Sequence, residues 1–235
     1  AVYYSTSNAV NYGVILSLIT LAAVFIPASE IAVNVVNRVV CNMKKPTVFP
    51  RLELKEGIPE DLSTMIVVPT LLPDEKRVGE LLENLEMHYL SNKEKNLFFT
   101  LLGDFKDSSE SNMDNDEKII NAAMEGIKRL NEKYAKDGQD IFYFFHRRRI
   151  FNKNENKWMG WERKRGAIIE FNDLLLGSKE TSFSYFSNEN FPSGRIKYVI
   201  TLDADTILPI GAAKKMIGTM EHPLNRPVID KKRGI

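Results

Sequence analysis

A chain of 235 residues, 43% hydrophobic and 27% charged, has enough apolar material for one large domain or a domain with an appendage. Its formal net charge of +1 argues against a nucleic-acid partner, which demands a markedly basic domain. The single cysteine, Cys41, excludes an internal disulfide and any cysteine-built zinc cluster.

Charge is unevenly spread. No Lys, Arg, Asp or Glu precedes Glu30, and Gly13 to Ala28 is nearly all apolar, continuing through Ile31-Ala32-Val33. That stretch of about 20 residues is long enough to cross a bilayer. Pro27 is tolerated in membrane helices, whereas Glu30 weakens the assignment. Arg38, Lys44, Lys45 and Arg51 follow at once, so the positive-inside rule puts the downstream domain in the cytoplasm. The competing reading is a buried helix of a globular core. A signal peptide would need a basic start and a small-residue cleavage site, and neither is evident. The chain opens on Ala1 with no Met, as expected of a piece of something longer. The domain map is a membrane helix with its flank at 1–45, a Pro-bounded linker at 46–62 and a folded domain at 63–235.

The folded domain reads as alternating strands and helices. Met65-Ile66-Val67-Val68-Pro69 is a short apolar run ended by a breaker, hence a buried strand. Asp74 is placed to cap a helix whose apolar positions are Val78, Leu81, Leu82, Leu85 and Tyr89. A second strand, Leu97 to Leu102, stops at Gly103-Asp104. Ile119, Ile120, Ala123, Ile127, Leu130 and Tyr134 mark one face of a second helix, with Asp114 and Asp116 near its start. Ile141 to Phe145 is the third strand. Trp161 to Leu176 is a third helix with Gly177 as its stop signal. Ser178 to Lys197, with Gly, Pro, Ser, Asn and four aromatics, reads as a functional or mobile loop. Tyr198 to Leu202 is the fourth strand. The alternation predicts a mostly parallel α/β sheet with helices on both faces. Thr70, Asp104, His146 and Asp203 would each follow a strand and so share one edge of that sheet.

Asp203-Ala204-Asp205, at the end of the fourth strand, is the most informative motif. Two carboxylates one residue apart at a strand-to-loop junction could share a hard divalent cation, Mg²⁺ or Mn²⁺, whose open positions take substrate phosphate. Ordinary loop carboxylates are the alternative. In Trp158-Met159-Gly160-Trp161-Glu162-Arg163-Lys164-Arg165-Gly166, basic groups and glycine stand at a helix start, which attracts anions and would neutralise a leaving diphosphate. An exposed basic turn over packed tryptophans is the other reading. Arg147-Arg148-Arg149 could reach phosphate, but the expectation is a solvated run with one member paired internally. Asp104 could accept a hydrogen bond from a nucleobase or ribose, or serve only as a turn residue after Gly103. Thr70 lies where a nucleoside edge would sit, and alone says little. His88 reads as a core or surface histidine, and His146 and His222 are too far apart to claim a metal. The sequence has neither a Gly-x-Ser-x-Gly elbow nor a P-loop, which argues against a serine triad and an NTPase.

Several of these stretches together resemble a known family. They are Ile58-Pro59-Glu60, Val67 to Leu72, His146 to Arg149, Trp158 to Gly166, Tyr198 to Thr206 and Glu221-His222-Pro223-Leu224-Asn225-Arg226-Pro227. In this order they look like the glycosyltransferase region of cyclic β-1,2-glucan synthases, large multi-pass bacterial proteins of the inner membrane. The likeness runs over nearly the whole chain and includes Pro27-Ala28-Ser29-Glu30. It implies a GT-A fold (Rossmann-like) over 63–235, UDP-glucose as donor, a divalent metal, and glucose added with inversion to the 2-hydroxyl of a glucan acceptor. It further implies that Asp104 lies near the uridine, that Asp203 and Asp205 hold the metal and diphosphate, and that Lys164 or Arg165 lies near the diphosphate.

The family's downstream acidic base and Gln-x-x-Arg-Trp acceptor motif do not occur in this sequence. The resemblance therefore implies no catalytic residue within the chain, the general base and the C-terminal half of the transferase domain lying elsewhere. Lack of a base forfeits roughly 10²- to 10⁴-fold in rate, so donor binding with weak or absent turnover is expected. Two other classes stay open on the residues alone: a metal-dependent nucleotidyltransferase, and a non-catalytic membrane-tethered α/β module.

Overall fold

The computed structural model describes residues 2–44, 47–135 and 138–226; Lys45, Pro46 and Pro227, used above, lie outside them. The chain divides into two compact units after Phe49.

The first unit is one helix, α1 (Val2–Met43). Within Gly13–Met43 an 18-residue window reaches a mean hydropathy of 2.1, and every residue from 13 to 44 is exposed. By length and composition α1 is an apolar helix long enough to cross a membrane. Ser17, Thr20 and Ser29 donate within the helix, to the carbonyls of Gly13, Leu16 and Ile26 at 2.7–2.8 Å. Internal satisfaction of this kind suits a segment without water around it.

The second unit is built on a five-stranded sheet in the order β6-β3-β2-β1-β7. Its strands are β1 (Thr64–Leu72), β2 (Leu97–Phe105), β3 (Phe142–Arg147), β6 (Phe183–Phe186) and β7 (Tyr198–Thr201). β3, β2, β1 and β7 run parallel, as the alternation predicts, and β6 closes one edge antiparallel. The helices are α2 (Glu75–Ser91), α3 (Asp116–Tyr134), α4 (Arg163–Leu175) and α5 (Ala212–Glu221). A two-stranded hairpin, β4 (Ile150–Asn152) and β5 (Lys157–Met159), projects between β3 and α4.

Period-two alternation sorts the strands' side chains to two cores. Ile66, Val68, Phe99, Leu101, Phe142 and Phe144 pack with α2, α3 and α5. Met65, Val67, Phe98, Leu102, Tyr143 and Phe145 pack with Phe171 of α4 and Phe183 of β6. The expected apolar faces hold: Val78, Leu81, Leu82, Leu85 and Tyr89 are buried, as are Ile119, Ile120, Ala123, Ile127 and Leu130. Asp74 caps α2, its Oδ1 accepting from the Arg77 amide at 2.8 Å. Gly177 follows α4 with φ +94°, a conformation that favours glycine.

Three details differ from expectation. β1, β2 and β3 run past their anticipated ends, so Thr70, Asp104 and His146 lie inside strands rather than after them. The long aromatic segment contains β6, whose four residues are too few for a distinctive pattern. The hairpin arises where Ile150-Phe151 and Trp158-Met159 flank an Asn-rich turn with Asn156 at φ +51°. Leading into β1, the Leu52 amide donates to the Gly218 carbonyl of α5 at 2.9 Å. A Cβ at Gly218 would overlap the Leu52 carbonyl oxygen, so glycine lets this segment lie flat on α5.

Candidate functional site

The carboxyl ends of parallel strands form the ligand edge of an open α/β sheet, and the charged motifs gather there. Asp104 on β2 stands in register beside Arg147 on β3. Strand alternation puts both on the face covered by α4. The Arg147 side chain is 0% exposed, and it meets Asp104 through two parallel bonds: Nε to Oδ1 at 2.7 Å and Nη2 to Oδ2 at 2.6 Å. A bidentate geometry of this kind is the strongest form of such a pair. Burial raises the Asp104 carboxyl pKa, and the bonds from Arg147 oppose the rise.

The remaining donors of Arg147 reach across to α4. Nη1 donates to the Trp161 carbonyl at 3.0 Å and to Glu170 Oε1 at 3.2 Å, and Nη2 donates to the Arg163 carbonyl at 2.8 Å. All five guanidinium N–H groups are thereby matched. Glu170 passes the connection on, its Oε2 accepting from the Ser182 amide at 2.7 Å and hydroxyl at 2.6 Å.

Between the two clamped carbonyls the backbone is left-handed at consecutive residues, Glu162 (φ +46°) and Arg163 (φ +47°). Each such residue costs roughly 1–2 kcal/mol, so the turn needs external support. The motif's glycines fit around that support. A Cβ at Gly160 would stand 2.7 Å from Asp104 Oδ2 and 2.9 Å from Arg147 Nη2, and one at Gly166 would overlap the Trp161 carbonyl oxygen.

The structure brings Lys164 and Asp203 together as an ion pair. Arg165 pairs with Glu162, and Arg163 with Asp107 at 2.6 Å. Asp203 and Asp205 are both exposed on a turn in which the Thr206 amide donates to the Asp203 carbonyl at 2.9 Å. Among the described residues Asp205 makes no ion pair. Thr70 lies one strand from Asp104, but alternation groups it with Ile66, Val68 and Leu72 on the opposite face. Its hydroxyl reaches only the Leu71 carbonyl, at 3.4 Å.

The arginine run corrects the sequence reading. Not one but two of its members are buried and paired. Besides Arg147, Arg149 is 7% exposed, donates to the Lys106 carbonyl at 2.8 Å and to Asp116 at 3.0 Å, and covers the Phe105 ring at 4.4 Å. Arg148 alone faces solvent. β3 ends at Arg147, so strand parity no longer governs Arg149, which reaches Asp116 of α3 while Arg147 reaches Asp104 of β2. Arg147 and Glu170 were missed as organisers. The available signal was an arginine continuing a fully buried strand, where a charge persists only if paired.

His88 is buried on α2, its pKa lowered by burial, and His222 Nδ1 accepts from the Leu224 amide at 3.2 Å. His146 is 0% exposed, and among the described residues neither ring nitrogen has a hydrogen-bond partner.

A scan against family models finds no match. Among curated proteins, the cyclic beta-(1,2)-glucan synthase NdvB of Rhizobium meliloti (strain 1021) is 43% identical over 213 residues, 91% of this chain. The chain is homologous to a segment of that synthase. It spans 8% of the synthase's length. The likeness carried by the sequence motifs is therefore found across nearly all of the chain.

Whether the acidic turn suits a metal depends on its donors. Among the described residues no group of three or more His, Cys, Asp or Glu is placed to hold an ion. A closed all-protein cage is thus absent among them. Asp203 and Asp205 offer two exposed carboxylates, the first of them paired with Lys164. That set fits Mg²⁺ or Mn²⁺, which bind through one or two carboxylates and keep positions for substrate phosphates.

Proposed function

We propose that residues 63–235 are the donor-binding part of a membrane glucosyltransferase of GT-A type that takes UDP-glucose and builds β-1,2-glucan with inversion. The observation that carries the reading is the meeting of Lys164 with Asp203, which sets a basic helix start against an acidic turn at the carboxyl edge of a parallel sheet. Kinship over 91% of the chain to a cyclic glucan synthase supplies the sugar chemistry.

In this reading Asp203 and Asp205 hold Mg²⁺ or Mn²⁺, which supplies charge neutralisation for the leaving diphosphate. Lys164 and Arg165 stand beside the same phosphates, where the first-turn amides of α4 add positive potential. Asp104 lies toward the nucleoside. Arg147 occupies two of the roughly four acceptor positions of its carboxylate, and a base or ribose donor would take another. The glucan acceptor and its base are supplied from outside this chain. In the full protein α1 is one of several spans of an inner membrane, and Arg38, Lys44 and Arg51 hold the transferase domain on the cytoplasmic side.

The test titrates UDP, UDP-glucose and nucleoside triphosphates into the detergent-solubilised chain with and without Mn²⁺ or Mg²⁺, then repeats the series with Asp205→Asn. Expected are metal-dependent binding of UDP and UDP-glucose, preference over triphosphates, and loss of binding in the variant. Metal-independent binding or an unaffected variant refutes the assignment.

A further inference from the structure

We propose that Arg147 is the positioning residue of the donor site, holding the Trp161–Arg163 turn in its left-handed form so that Lys164 faces Asp203. The proposal rests on the donor-binding reading above. Nothing in it requires Arg147 to touch a ligand, since its side chain is 0% exposed and its five donors are spent on the protein.

Three independent features of the turn carry this role. The first is conformational. Glu162 and Arg163 are consecutive non-glycine residues at positive φ, a state an unsupported turn abandons. The guanidinium binds the carbonyls of Trp161 and Arg163, one on each side of Glu162, and so fixes the two peptide planes that define the state. The second is steric. Gly160 and Gly166 admit no Cβ: the first abuts the Asp104–Arg147 pair, and the second abuts the Trp161 carbonyl that Arg147 binds. Bulk at either position would push the turn off the guanidinium.

The third is anchoring. A clamp positions only if it is itself immobile. Asp104 fixes Arg147 from the central sheet, and Glu170 fixes it from α4 while also gripping Ser182. Three elements thus converge on one planar group. Lysine, with three donors on a compact ammonium, cannot reproduce the fork.

Two variants test this in the full 235-residue chain. Gly166→Ala displaces the Trp161 carbonyl while leaving Asp104 and Arg147 in place. Arg147→Lys keeps the buried charge but removes the fork. With Gly166→Ala, metal-dependent UDP affinity should fall roughly tenfold or more, the scale of one lost charge-assisted hydrogen bond. Affinity for uridine, which has no phosphate, should stay unchanged, a split that general loss of fold would not give. With Arg147→Lys, amide hydrogen exchange across 160–166 should accelerate while β2 amides at 97–102 keep their protection. If Arg147→Lys fails to fold, the Gly166→Ala comparison decides alone. Wild-type and Gly166→Ala chains that bind UDP equally overturn the positioning role and leave the donor-binding reading standing. A wild-type chain that takes up no UDP overturns both.

Discussion

Replacing His146 with leucine should remove a specific acid sensitivity from this domain. The ring is wholly buried, lies 3.9 Å from the Phe105 ring between centroids and 6.1 Å from that of Tyr185, and among the described residues neither nitrogen has a partner. Burial, and secondarily the nearby Arg149 charge, pushes its pKa from 6.5 down to about 3. Between those values the unfolded chain binds the proton and the folded chain does not. Stability is therefore complete above pH 6.5 and declines as pH falls toward 3, by ~1.4 kcal/mol per pH unit. From pH 7 to pH 5 the integrated loss is about 2 kcal/mol from this residue alone. Asp104, whose pKa burial raises, acts with the opposite sign over the carboxylate range, so the informative quantity is a difference. Urea unfolding of wild type and His146→Leu, followed by Trp158 and Trp161 fluorescence at pH 7, 6 and 5, cancels Asp104. At pH 7 the two should agree within ~1.5 kcal/mol, because the change is near volume-conserving and removes two unpaired polar atoms. At pH 5 the variant should gain about 2 kcal/mol on wild type. Parallel pH profiles would refute the buried neutral imidazole.

Two further outcomes follow from the packing. Gly218→Ala should destabilise the second unit by roughly 1–3 kcal/mol, because its Cβ meets backbone of the Leu52 segment that cannot rotate away, and thermal unfolding by circular dichroism measures it. Arg147→Met should cost roughly 3–5 kcal/mol by leaving Asp104 charged and unpaired, and adding Asp104→Leu should recover much of that loss. A double variant no more stable than the single one in denaturant titration would show that the carbonyl clamps, not the buried charge, dominate.

Most of the layered fold was legible because its signals are local. Asp74 announced its helix by cap chemistry, and the buried faces of α2 and α3 followed from spacing alone. What was hidden depends on partners distant in sequence. Asp104 and Arg147 look like the end of a strand because charges usually stop one. They continue it only because each neutralises the other across 43 positions, as their bond records. The same holds for the site. Lys164 and Asp203 each stand out in the sequence as candidate donor-site residues, and the structure adds their contact. In the sequence Gly160 and Gly166 only accompany the basic helix start, and the structure adds that a Cβ at either would meet Asp104, Arg147 or Trp161. Thr70 shows the limit of edge arguments: parallel strands place a residue on an edge, and parity then decides its face.

The sharing of one guanidinium among Asp104, Glu170 and the two carbonyls around Glu162 has an evolutionary consequence. These positions should be inherited as a block: in any homologue whose third strand ends without the arginine, the two glycines lose their reason and the paired carboxylates become liabilities. Drift at one site would then be followed by drift at the others, leaving a covariation signature centred on position 147.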